Sequence, residues 1–158
     1  SFFINIFPKE KFIMIIRDPR HVGISLWHYR KVMLNDIVID KVNTIDEYTI
    51  KVVDNWAKKI ININQIINKK PNNFFICKYE NLNKKNDELK KFFKFLSVDC
   101  ADKTVSKILD SNSFEKFKDN KFFRKGFSSN WKEELKPITN KKIMDKHGNL
   151  MKKYGYLY

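Results

Sequence analysis

The chain has 158 residues, 42% hydrophobic and 15% aromatic, which is enough for one domain burying roughly 70% of its unfolded surface and excludes wholesale disorder. Lys and Arg total 32 against 18 Asp and Glu, a net charge of +14. Such a field draws anions (nucleic acid, acidic glycans, membrane surfaces, phosphorylated cofactors), but Lys, Asn and Ile are favoured almost everywhere, so charge alone does not specify nucleic acid. No apolar run approaches a membrane span and no signal peptide is visible. The two cysteines, Cys77 and Cys100, form neither a disulfide framework nor a CxxC pair, which suits a reducing, cytoplasmic setting. Ser1 stands almost directly before a core strand, so the chain reads as part of a longer protein.

A short apolar lead-in, Phe2 to Phe7, stops at Pro8. Lys11 to Ile16 is a continuous apolar run, the pattern of a parallel strand covered on both faces. Arg17 ends it. Asp18-Pro19 then starts a helix, with Asp as N-cap and Pro at the first helical position. The helix runs to about Met33, with Val22, Ser25, Leu26 and Tyr29 on one face. Asn35 to Asn43 reads as loop. Thr44-Ile-Asp-Glu47 is a capping box opening a helix towards Asn68, with Tyr48, Val52 or Val53, Trp56, Ile60, Ile63 and Ile67 at helical spacing. Trp56 reads as a core anchor.

After a turn at residues 69–73, Phe74 to Tyr79 is a second strand, with Tyr79-Glu80 at its carboxyl end. Asp87 to Leu96 is amphipathic, its buried stripe made of Leu89, Phe92, Phe93 and Leu96. A further helix covers Lys103 to Asp110. Ser113-Phe114 and a basic loop to Lys132 follow, then a helix from Thr139 to Tyr154 that closes on Gly155. There are no internal repeats and no second domain, and the order β-α-α-β-α-α-loop-α suits part of an α/β sheet.

Four polar stations fall near strand ends or loops: Arg17, Ser25, Tyr79 and Arg124-Lys125-Gly126. The first could be no more than a well-capped strand-to-helix turn. The last, in Phe122-Phe-Arg-Lys-Gly-Phe-Ser-Ser-Asn-Trp-Lys132, sets two cations and a glycine between apolar flanks. Arg grips a phosphate with a bidentate fork, Lys acts as a point charge, and Gly lets the backbone come close. The crevice outside the carboxyl ends of parallel strands is where open α/β sheets bind ligands. His21, His28 and His147 have no metal-ligand spacing with any partner, and no metal is expected.

Over essentially its whole length the chain resembles the cytosolic-type sulfotransferases. Those enzymes move the sulfuryl group of 3′-phosphoadenosine 5′-phosphosulfate (PAPS) to a hydroxyl or amine. Arg17, Pro19 and Ser25 match the family's 3′-phosphate motif, with Ser eight residues after Arg. Lys78-Tyr-Glu-Asn-Leu82 matches a segment whose Tyr, here Tyr79, would meet the nucleotide. Ser113-Phe114 is similar to a pair whose Phe packs near the adenine. Arg124, Lys125 and Gly126 with Trp131-Lys132 match the Arg-Lys-Gly-x-x-Gly-x-Trp-Lys signature. The resemblance implies a partial P-loop-kinase-like parallel sheet flanked by helices in a single domain over residues 1–158, incomplete on its N-terminal side. It implies PAPS as donor, a hydroxyl or amine acceptor, and no specific nucleic acid or membrane partner. Cofactor-binding residues would be Arg17, Ser25, Tyr79, Phe114, Arg124, Lys125 and Gly126.

There are departures. Ser129 stands at the signature's second Gly, and Asn112 precedes Ser-Phe where Thr or Ser is usual. The family's dimer motif is not recognisable after Lys132. Its phosphosulfate loop and catalytic His would lie before Ser1, so no catalytic residue is assigned in this chain, and the 158 residues alone are expected to be inactive. Two other readings remain open: a basic module binding nucleic acid or sulfated glycan, and a relative that binds the nucleotide without turnover.

Overall fold

The computed structural model describes residues 9–33, 42–82, 86–112 and 131–157. In chain order the elements are β1 (Phe12–Ile16), α1 (Pro19–Met33), α2 (Ile45–Lys69), a 3-10 turn (Pro71–Asn73), β2 (Phe74–Lys78), α3 (Tyr79–Leu82), α4 (Asn86–Leu96), α5 (Asp102–Ser111), α6 (Trp131–Glu134) and α7 (Pro137–Lys153). They fall into two compact units, one of Ser1–Arg17 with Ile63–Phe127, the other of Asp18–Asn62 with Ser128–Tyr158.

The first unit holds the sheet. β1 and β2 pair in parallel, in register from Phe12 opposite Phe74 to Ile16 opposite Lys78. Phe12 stacks on Phe74 with ring centroids 5.2 Å apart. On the other face Phe75 meets Phe92 at 5.7 Å and Phe95 at 5.6 Å, which seats α4 on β2. Cys77 is buried beside them, and burial pushes its thiol pKa up, with the Glu88 carboxylate adding to the shift. α4 ends in a Schellman turn: Val98 N–H donates to Phe93 O, Ser97 N–H donates to Lys94 O, and Ser97 sits at φ 60. The Lys11 ammonium donates to Phe95 O and to Ser97 Oγ, placing a cation where the helix dipole is negative.

The expectation that β1 is covered on both faces does not hold among the described residues. Ile13 and Ile15 are 45% and 57% exposed. The described sheet has two strands, and α4 packs at the β2 side through Phe75. Among the described residues, nothing covers that face at Ile13 and Ile15.

The second unit is helical. Asp18 caps α1, its Oδ1 accepting the Arg20 N–H at 2.9 Å, and Pro19 follows as the first helical residue. The buried side of α1 carries Arg20, Gly23 and Ile24, whereas Ser25, Leu26 and Tyr29 face outward. A Cβ built on Gly23 would lie 2.8 Å from Thr49 Cγ2 and 2.9 Å from Thr49 Cα, so glycine permits the close approach of α1 to α2. Half of the capping box forms: Glu47 N–H donates to Thr44 Oγ1, whereas Glu47 Oε2 accepts from the N–H of Asn43, one residue before the cap. α2 buries Tyr48, Thr49, Val53, Ala57 and Ile60.

Ile24, Trp131 and Leu135 form one core cluster, with Ile45 against it. Val42 and Tyr48 form another, joined by Trp27 and Val52. Trp56, expected as a core anchor, is only half-buried and meets Tyr154 edge-on at 6.2 Å. α6 begins inside the stretch expected to be loop. α7 closes on Gly155 at φ 70, with Tyr156 N–H donating to Met151 O and Gly155 N–H to Lys152 O, a full Schellman turn.

Candidate functional site

The register of the sheet determines the first half of the site. Ile16 lies opposite Lys78, so the next residues, Arg17 and Tyr79, emerge together at the carboxyl ends of adjacent parallel strands. The strand ends there because Tyr79 already starts α3. The Arg17 guanidinium carbon lies over the Tyr79 ring, 4.5 Å from its centroid, in cation–π range. Arg17 Nε is buried and meets no hydrogen-bond partner among the described residues. A buried N–H without an acceptor is rare in a folded protein and costs roughly 1–3 kcal/mol unless something accepts from it. An anionic oxygen is the acceptor that fits a guanidinium best. The donor set here thus suits a phosphate group.

Ser25 belongs to the second unit, on the outward side of α1, exposed. Phe114, Arg124, Lys125 and Gly126 lie outside the described residues, as does Ser129. Of the sequence-derived candidates, then, the structure brings Arg17 and Tyr79 into contact. Among the described residues no group of three or more His, Cys, Asp or Glu could hold a metal ion.

Sequence pattern gave no reason to single out Arg20, which carries a buried polar network in the second unit. It is 1% exposed. Its Nε donates to Asp18 Oδ1 at 3.0 Å, one terminal nitrogen to Asp18 Oδ2 at 2.7 Å, and the other to Asn140 Oδ1 at 2.9 Å. Its guanidinium lies 3.8 Å from the centroid of the Trp131 ring. One residue therefore ties the start of α1 to α6 and α7. A charge this deeply buried is tolerated because it is paired and hydrogen-bonded. Trp131 is the Trp of the signature that contains Arg124-Lys125-Gly126, so Arg20 anchors the described end of that basic stretch. Nearby, His28 Nε2 and Glu134 Oε2 pair at 2.5 Å, joining α1 to α6 a second time.

The family model of the sulfotransferase domain matches residues 4–155. The chain is similar in structure to a mouse sulfotransferase, SULT7A1, solved in complex with PAP, with a TM-score of 0.72 and 23% identity over 93% of this chain. The match spans 63% of that solved chain. No curated protein matches. At this identity the likeness is one of fold: an α/β architecture with helices around a parallel sheet.

Proposed function

The chain belongs to the sulfotransferase domain family, and from that membership we propose that the complete protein transfers a sulfuryl group from PAPS to a hydroxyl or amine acceptor, this chain holding the donor's 3′-phosphate. The single observation that carries the reading is the buried Nε of Arg17 at the carboxyl end of β1, which has no partner among the described residues. By the family resemblance, Arg17, Ser25, Arg124, Lys125 and Gly126 would be the residues that meet the 3′-phosphate. Phe114 would lie along the adenine. When bound, the donor supplies the sulfuryl group, whose bond to the 5′-phosphate breaks as the bond to the acceptor forms. The acceptor's proton must pass to a base, and that role is assigned to none of the nucleotide-binding residues. Residues 1–158 are accordingly proposed to bind the nucleotide without turning it over, and to supply the binding half of the complete site. A cytoplasmic setting belongs to the same proposal and is supported by two free cysteines, Cys77 and Cys100. No helix among the described residues is long and apolar enough to cross a membrane.

A charge-assisted hydrogen bond contributes roughly 1.5–3 kcal/mol, so Arg17→Ala is expected to weaken binding of adenosine 3′,5′-bisphosphate about ten- to a hundredfold. Binding of AMP, which lacks the 3′-phosphate, should hardly change. Isothermal titration with both nucleotides checks this. Equal losses for the two would show that Arg17 does not read the 3′-phosphate.

A further inference from the structure

The family resemblance gives Tyr79 a direct contact with the nucleotide, and the geometry supports a second role beside it. We infer that Tyr79 is a positioning residue that holds the Arg17 guanidinium in its anion-binding orientation. This rests on the reading of Arg17 as a phosphate ligand. Three observations carry it. The guanidinium carbon sits 4.5 Å from the Tyr79 ring centroid. The parallel register pairs Ile16 with Lys78, and Arg17 and Tyr79 follow directly after them, so the contact is set by the adjoining sheet and does not await a ligand. Arg17 Nε has no hydrogen-bond partner among the described residues, so the ring supplies an orienting contact where hydrogen bonding at that nitrogen supplies none.

The physical logic concerns entropy and donor economy. Arginine has a long side chain with many rotamers, and freezing it when a ligand arrives subtracts from affinity. A ring beneath the cation removes part of that freedom in advance. It does so through the ring quadrupole and occupies no N–H donor, so the donors stay available for phosphate oxygens. A carboxylate at the same place would orient the guanidinium equally well, but it would consume those donors and neutralise the charge. An aromatic residue is thus suited to prepare an arginine that must later bind an anion.

The test is the ratio of AMP to adenosine 3′,5′-bisphosphate dissociation constants, which isolates the 3′-phosphate contribution. Tyr79→Leu should lower that ratio about two- to thirtyfold, while Tyr79→Phe, which keeps the ring, should hold it within about twofold of the parent. In an Arg17→Ala background Tyr79→Leu should leave the ratio unchanged, because the residue it positions is gone. Should the Leu variant not fold, Tyr79→Met serves the same purpose. If Tyr79→Leu weakens both nucleotides by the same factor, Tyr79 acts on the shared adenosine 5′-phosphate and the inference is overturned. If the parent protein itself shows no preference for the bisphosphate, the functional reading fails first and takes this inference with it.

Discussion

The meeting of Gly23 and Thr49 shows how far a single methyl group decides the packing of α1 on α2. Glycine inside a helix is ordinarily worth replacing, since alanine gains about 1 kcal/mol in propensity. Here the added Cβ would meet the Thr49 backbone at 2.9 Å, so Gly23→Ala is expected to destabilise by about 1–3 kcal/mol through overpacking. Thr49 offers the opposite case. Its Oγ1 is buried with no hydrogen-bond partner among the described residues, and Thr49→Val removes that hydroxyl while keeping the shape. The substitution should be neutral or stabilise by up to about 1 kcal/mol. Urea denaturation of both variants checks the pair. A clear loss on Thr49→Val would mean that the hydroxyl has a partner after all.

At the scale of elements, α2 and α7 are joined by a polar contact that reports on pH. Asp54 on α2 receives Lys146 Nζ at 2.8 Å and His147 Nε2 at 2.6 Å, both from α7. Burial acts to raise the Asp54 pKa, but the hydrogen bonds and charges of Lys146 and His147 outweigh it and hold the carboxyl below its ordinary value. A carboxylate whose pKa is lowered by folding adds stability above its unfolded pKa, and loses it as pH falls through the folded one. The stability difference between parent and Asp54→Asn should therefore be full at about pH 6 and shrink below about pH 4. A difference that does not vary with pH would contradict the assignment.

The local devices of these elements were legible in the sequence. The Asp18-Pro19 start, the Thr44-to-Glu47 box and the Gly155 stop each lie within a few residues; the start and the stop formed as read, and the box formed its Thr44 half. What depended on distant chain was not legible. Arg20 looked like any charge on a first helical turn, because Trp131 and Asn140, which bury and satisfy it, lie more than a hundred residues away. The apolar run of β1 promised two covered faces, but coverage of Ile13 and Ile15 depends on neighbours a run of residues cannot specify. Arg17 and Tyr79 could each be placed at a strand end. Their contact required the register.

For the whole molecule, the net charge of +14 supports two kinds of binding that differ in what they discriminate. A polyanion site responds to charge density and weakens steeply with salt, whereas a nucleotide site responds to where the phosphates sit. The family match over residues 4–155 supports the second, which is the function proposed. The most direct measurement is a competition titration of the protein between RNA and adenosine 3′,5′-bisphosphate at low and near-physiological salt. The account predicts saturable binding of the bisphosphate that persists at the higher salt, exceeds that of AMP, and is not displaced by RNA there. Binding of RNA that displaces the bisphosphate, with no distinction between bisphosphate and AMP, would contradict it.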